Sequence, residues 1–434
     1  MTTSVLSRRG VLVFRKDDIN VFLFFVSLIG TYMQFHLYVG GRIAFPFLFP
    51  NLIGMAAFIY YALKRQFLPA LTTVILLVLF TLAAVMVAAF DGYLGGALIK
   101  YFQLLFSIFA GYGLCWLILQ IPRERLRKLL ARLAWVILIV AFAETYLGFY
   151  EVMTQINTVL YSWRPQGFYT SVERDIALWN GVRPLVFSTE PSLVGIWGSV
   201  LMVGATILSP SDHWKRYLVL IAYVGVLLFI ARSTTVILIL VTYLGATMFD
   251  KRNSLSKQIM LFFGLIGVAW IMTFTSALML MGRFLQDTSF FVRFTAPYLT
   301  TLQALDRSLF FGLGLGNDHL FEVIVFDVWA QAGMLVRSVV YVEQHGLNGM
   351  LTNSFFSIWI NLGVVGGVFF LAVVFGFVRQ IGRFPAMMVL TTTFGTWMTV
   401  GGFVDMRTWF FLYFFIACAM SVERDKTNAA EKQT

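Results

Sequence analysis

The chain has 434 residues, 59% hydrophobic and only 12% charged, with a formal net charge of +11 and a mean hydropathy of +0.82. A soluble domain is about 45–50 % apolar and about 25 % charged, so this composition excludes a soluble enzyme, and it excludes disorder, which requires low hydrophobicity. The expectation is an all-α polytopic integral membrane protein whose basic excess lies in loops on one side of the bilayer rather than on a nucleic-acid face.

A spanning helix needs roughly 20 apolar residues. On that measure about 12 transmembrane helices are expected, near 19–39, 43–63, 68–90, 98–121, 129–150, 185–208, 217–231, 233–249, 259–281, 353–377, 385–402 and 408–421. Residues 1–18 are polar and basic, and the apolar run after them is longer than a signal-peptide core with no small-residue cleavage site. It is therefore expected to remain as the first span. Basic clusters follow alternate spans: Lys64-Arg65, Arg123 to Arg132, Lys215-Arg216, Lys251 to Lys257, and Arg379 with Arg383. The positive-inside rule makes that side cytoplasmic, along with both termini. Because Tyr217–Phe249 is basic at both ends, it should enter and return, breaking near Ala231-Arg232-Ser233, either as two short spans or as a re-entrant pair.

No internal repeat or separate soluble domain is visible, so 1–434 reads as a single transmembrane domain. Two outward loops are long, 151–184 and 282–352. The second is too polar to span and too apolar to be a free linker, and His319 to Val336 has the periodicity of a helix lying at the interface. Long ordered loops are usually functional. Cys115 and Cys418 both fall inside apolar stretches and read as packing residues.

Ten basic residues fall on the outer side or at outer span ends, and all ten are arginine: Arg42, Arg164, Arg174, Arg183, Arg232, Arg283, Arg293, Arg307, Arg337 and Arg407. The eight lysines outside the spans are all on the cytoplasmic side, and Lys100 alone lies within a span. Topology can be set by either residue. Phosphate binding favours arginine, whose planar fork bonds phosphate oxygens in pairs and stays charged. One reading is an outward cavity for a polyanionic, lipid-attached substrate. The other is that these arginines pair with Glu151, Glu173, Asp175, Asp287, Glu322, Asp327 and Glu343, or reach lipid headgroups.

Glu144 and Glu190 fall inside spans, where an ionisable group is costly and usually faces a cavity or a partner. Glu190 precedes Pro191 and is either an arginine's partner or a group that orients an acceptor hydroxyl; Glu144 reads as structural. The run Phe311-Gly-Leu-Gly-Leu-Gly-Asn317 has no βαβ unit around it and reads as a turn of close backbone approach. His345 in the outer loop is either a solvated loop histidine or a base, its pKa lying near neutral. No HExxH or Cys/His cluster points to a metal site.

Four stretches taken in order resemble the bacterial O-antigen polymerase and O-antigen ligase superfamily: Arg183-Pro-Leu-Val-Phe-Ser-Thr-Glu-Pro-Ser192, Ile230-Ala-Arg-Ser-Thr-Thr235, Arg293 with Leu309-Phe-Phe-Gly-Leu-Gly-Leu-Gly-Asn317, and Thr352-Asn-Ser-Phe-Phe-Ser-Ile-Trp-Ile-Asn-Leu-Gly-Val-Val-Gly366. The resemblance covers roughly 180–380. It implies metal-independent inverting glycan transfer from undecaprenyl pyrophosphate at the periplasmic face of the inner membrane. In a polymerase the acceptor is another lipid-linked repeat; in a ligase it is lipid A core. The family's ligase-type histidine is Thr352 here, and Arg183 to Gly195 has eleven intervening residues where the polymerase pattern has ten. With the resemblance, Arg293, Glu190 and His345 are expected to be catalytic, and Arg183, Arg232, Arg307, Arg42 and Asn353 to hold pyrophosphate or sugar. No cofactor or metal is expected. The expected partners are the lipid-linked oligosaccharide, membrane lipid and a chain-length regulator protein. A flippase for the same lipid is the reading from another class; many transporters are built from two similar halves, which this chain lacks.

Overall fold

The computed structural model describes residues 16–39, 42–64, 71–162, 181–209, 214–233, 235–248, 291–334 and 352–431, with isolated positions between these segments. The span expected at 259–281, Arg164, Arg174, Arg283, Arg337 and His345 lie outside the described residues. In chain order the elements are α1 (Lys16–Tyr32), β1 (Leu37–Val39), β2 (Arg42–Phe45), α2 (Leu48–Leu63), α3 (Leu71–Phe90), α4 (Leu94–Leu119), α5 (Arg123–Tyr146), α6 (Tyr150–Leu160) and α7 (Pro191–Ile207). Then come α8 (Lys215–Ala231), α9 (Thr235–Met248), a π-helical turn (Phe291–Thr295), α10 (Ala296–Arg307), α11 (Asp318–Gln331), α12 (Ser354–Arg379), α13 (Ala386–Trp397) and α14 (Met406–Glu431).

Among the described residues α3, α4, α12 and Met406–Asp425 of α14 are long and apolar enough to cross a membrane, and α2, α7 and α9 are shorter apolar helices. This is an all-α membrane-embedded fold with one two-stranded antiparallel hairpin, β1–β2. The hairpin corrects the first expected span: α1 stops at Tyr32, and the apolar residues after it turn back as β1 and β2. The expected outer loop from 151 begins as helix α6, and α11 occupies most of the amphipathic stretch from His319. One face of α11, Ile324, Val325, Val328 and Trp329, is buried with Phe291, Val292 and Ala296 in a cluster of its own.

Burial ranks the helices. Every residue of α7 is buried, and so is the run Trp409 to Ala419 in α14. A helix apolar on all sides belongs at the centre of a bundle. On α3, by contrast, the buried residues are Leu77, Thr81, Ala84, Val85 and Ala88, a single stripe at helical spacing that marks it as peripheral. Small residues bring α2 onto α4: a Cβ on Gly54 would strike the Ala110 carbonyl, and one on Gly113 would strike the Gly54 carbonyl. Close backbone approach of this kind drives helix association in lipid, where apolar burial alone gives no advantage.

Polar ties fix the two ends. At one end Arg125 pairs with Asp18 at 2.9 Å, Arg123 pairs with Asp425 at 3.3 Å and donates to the Leu208 carbonyl, and Arg424 donates to the Leu119 carbonyl. The start of α1, the end of α4, the start of α5, the end of α7 and the end of α14 therefore meet. The opposite end gathers the end of α1, the hairpin, the start of α7, the α8–α9 break and the starts of α12 and α14. The break is where charge parity put it: α8 ends at Ala231, Arg232 takes a left-handed conformation (φ 48°), and α9 starts at Thr235. The return is marked by Tyr243 of α9, which lies in electrostatic range of Tyr217 and Arg216 at the start of α8.

The glycine run is an element of the fold. Gly312, Gly314 and Gly316 all have positive φ (64°, 82° and 78°). Their segment threads between α3, α4 and α12. Helix α12 is interrupted at Gly363 (φ 66°, ψ −172°), which would leave carbonyls in the interruption without their usual donors. Leu313 N–H donates to the Ile360 carbonyl (2.9 Å) and Gly314 N–H to the Asn361 carbonyl (3.1 Å), while Val364 and Gly366 donate back to the Leu309 and Phe310 carbonyls. The close-approach reading of this run is thus what the structure contains. A Cβ at Gly314 would also meet the Ala88 backbone N at 2.7 Å. Gly314→Ala should therefore cost more than the ~1–2 kcal/mol of a left-handed alanine; the check is a fall in melting temperature of the purified protein and in its folded yield.

Candidate functional site

The site begins at the head of α7. Pro191 occupies the first helical position, where its missing N–H costs nothing, so the helix starts there and Glu190 is its extended N-cap residue (φ −147°, ψ 142°). The span expected from residue 185 is corrected by this start: the helix begins at Pro191, and Arg183 and Glu190 both precede it. They are the two ends of a compact turn. Within the turn Val186 and Phe187 have positive φ (44° and 60°).

Glu190 turns its carboxylate toward Arg293, with Oε2 3.9 Å from Nη2. Ser192 lies between them: Arg293 Nη2 donates to Ser192 Oγ at 3.0 Å, and Ser192 Oγ donates to Glu190 Oε2 at 3.2 Å. The Arg293 side chain is 14% exposed and that of Glu190 42%. The arginine is thus held in the wall while the carboxylate opens outward. Arg293 sits in the π-helical turn ahead of α10; such turns are rare and recur at functional sites.

Asn353, expected among the substrate contacts, is fully buried at the N-cap of α12. Its Oδ1 accepts from Phe356 N–H (3.1 Å), and its Nδ2 donates to the carbonyls of Arg293 (2.8 Å) and Met398 (3.2 Å). Its amide is engaged by protein on both sides, and what it does here is hold the backbone of Arg293. Arg232, in the α8–α9 break, donates through Nη1 to the Gly181 carbonyl at 3.1 Å. That contact draws the segment leading to Arg183 against the break. Gly195 on α7 brings the two halves close, since a Cβ there would meet Ser233 Cβ at 3.3 Å.

Arg183 itself pairs with Asp175 at 2.8 Å, the two side chains being 10% and 2% exposed. The contact runs from Arg183 Nε to one Asp175 carboxylate oxygen and anchors the side chain in the wall. Arg42 is placed by its backbone in β2, opposite Val39. Arg307 is exposed at the far end of α10, whose twelve residues carry it roughly 18 Å from the start of that helix. The structure therefore brings together Arg183, Glu190, Arg232, Arg293 and Asn353, and separates Arg307 from them.

Two further residues stand at this end, neither of them among those expected to react or to bind. Ser192 bridges the acid and the arginine. Arg407, at the start of α14, lies 3.8 Å from Asp405 and over the ring of Phe47 (5.1 Å from its centroid) at the same end of the bundle. Ser192 closes the motif that carries Glu190, and Arg407 was already among the outward arginines. Among the described residues no three His, Cys, Asp or Glu side chains gather where they share a metal ion.

Comparison with protein-family models, with curated proteins and with solved structures finds no match to this chain.

Proposed function

We propose that the chain is a polysaccharide polymerase of the bacterial inner membrane, with about 12 spans and both termini cytoplasmic. It joins the glycan of one undecaprenyl-pyrophosphate-linked oligosaccharide to a hydroxyl of another at the periplasmic face. The observation that carries this reading is the Glu190–Ser192–Arg293 arrangement at the bundle end opposite the Arg123–Asp425 tie. In this reading a base and a fixed cation stand side by side on the face that the positive-inside rule makes the outside.

In this reaction the acceptor hydroxyl attacks the anomeric carbon of the donor sugar. Its proton passes to Glu190 Oε2. The bond from the anomeric carbon to the diphosphate oxygen breaks, and the electron pair leaves with the diphosphate. Arg293 and Arg232 offer their N–H groups where that charge develops, which is how fixed dipoles and cations lower a barrier. Inversion requires nucleophile and leaving group on opposite faces of the sugar; the two carboxyl groups of inverting glycosidases stand roughly 6.5–9.5 Å apart to leave room for the attacking water. Glu190 and Arg293 are 3.9 Å apart. In this reading the incoming diphosphate draws the guanidinium off the carboxylate, and Glu190 becomes a free base only when a donor is bound. The buried Arg183–Asp175 pair supports the wall, so the diphosphate contacts fall to Arg232 and Arg293.

The test is reconstitution of the purified protein in proteoliposomes with a fluorescent undecaprenyl-pyrophosphate oligosaccharide. A ladder of longer glycans, with one undecaprenyl pyrophosphate released per added repeat, is the expected result. Transfer only onto added lipid A core would make the protein a ligase. Movement of intact donor across the bilayer with no new glycosidic bond would make it a flippase and end the enzymatic reading.

A further inference from the structure

The buried Glu144 carboxylate of α5 is not used by the chemistry above, yet it is bonded more completely than a packing role requires. We propose that Glu144 is a positioning residue: it clamps the strained turn that delivers Glu190 to Arg293. The inference rests on the reading of Glu190 and Arg293 as the reacting pair.

Glu144 is 1% exposed. Its Oε1 accepts from Leu185 N–H at 2.8 Å and its Oε2 from Val186 N–H at 2.9 Å. Those two donors begin the turn in which Val186 and Phe187 both have positive φ. A β-branched residue with positive φ is a genuine outlier. Such strain persists only where the surroundings over-determine it, and it collects at functional sites. Here the surroundings are three separate helical segments. Tyr32 at the end of α1 donates its hydroxyl to the Val186 carbonyl at 2.6 Å, and Tyr161, just past α6, donates to the Phe187 carbonyl. Glu144 takes the N–H side of the turn and the two tyrosines take the carbonyl side.

The constraint continues to the site. The Ser188 hydroxyl lies 2.6 Å from the Leu185 carbonyl and 2.7 Å from the Glu190 carbonyl. The Glu190 side chain then meets Ser192 and Arg293. A bonded path thus runs from the α5 carboxylate through the turn to the acid–arginine pair. The two converging N–H groups explain why the residue is a carboxylate. A carboxylate accepts at both oxygens, whereas an amide of the same shape has one acceptor and turns its own N–H₂ toward the second donor.

The experiment is Glu144→Gln in the reconstituted transfer assay, with Arg123→Ala as a control that removes a partly buried tie at the other end of the bundle. Hydrogen exchange at 183–190 is followed in parallel. The expected result for E144Q is faster exchange in this turn and a kcat lower by about 10–100-fold, with the KM for the lipid-linked donor within about twofold of the wild type. R123A, brought to the same loss of melting temperature, should keep its kcat. If E144Q does not fold, Tyr32→Phe with Tyr161→Phe loosens the same turn from its carbonyl side, and the same split between kcat and KM is expected. An active wild type whose E144Q keeps its kcat, or loses no more than R123A at matched stability, overturns this inference alone. A wild type with no transfer activity overturns the functional reading and this inference with it.

Discussion

Arg293→Ala should lower kcat for glycan transfer by about 10²–10³-fold, the usual effect of deleting one fixed donor aimed at developing charge. The geometry says that the loss will be catalytic rather than a loss of fold. Asn353 holds the carbonyl of Arg293, not its guanidinium, so truncating the side chain leaves the π-helical turn and the α12 cap in place. The deletion frees Ser192 Oγ, which keeps its bond to Glu190. Arg293→Lys separates charge from geometry. Lysine supplies a point charge but no planar fork, so it cannot bond diphosphate oxygens in pairs, and a loss of about 10-fold or more should remain. Steady-state kinetics on the fluorescent donor, read beside the melting temperature, check both variants. A lysine variant as active as the wild type would mean that Arg293 acts by charge alone. An alanine variant with normal kcat would remove it from the mechanism.

The sequence made the helical architecture legible because hydropathy and loop charge report on the bilayer directly. The α8–α9 break is the clearest instance. No local signal near Arg232 forces a reversal, but two basic ends on one apolar stretch do, and the chain breaks there with Arg232 in a left-handed conformation. The hairpin after α1 was hidden for the opposite reason. Met33 to Val39 is apolar enough to extend a span, and short apolar runs do not distinguish strand from helix. The readable signal was the Gly40-Gly41 pair between two apolar runs. At the site, the motif carrying Arg183, Glu190 and Ser192 was visible as a set, but its inner division of labour was not. Arg183 pairs with Asp175, in a part of the chain where several carboxylates competed as partners. Glu144 bonds only to backbone N–H groups, and a backbone partner leaves no trace in side-chain identity. At Asn353 an exposed loop amide and a helix N-cap look alike in one sequence; in the structure its Oδ1 accepts from Phe356 N–H at the start of α12.

Glu190→Gln should lower both kcat and the KM for the donor. Loss of a general base lowers kcat by about 10²–10⁴-fold. The KM for the diphosphate-bearing donor should fall over the same substitution, because the carboxylate that competes with the diphosphate for Arg293 is gone. The pair itself contributes little to stability: at 3.9 Å, with Glu190 42% exposed, it belongs with ion pairs worth under about 1 kcal/mol. Glu190 makes no side-chain cap bond to α7, and Pro191 already presets the first turn, so the glutamine variant should melt within a few degrees of the wild type. The double variant with Arg293→Ala then separates two mechanisms. If the residues act in one transition state, the double variant will be little worse than the poorer single variant, as groups that work as a unit behave. If Glu190 serves only to neutralise Arg293, its replacement will leave kcat intact while binding tightens, and the base must be sought elsewhere in the outer loops, with His345 the first position to test.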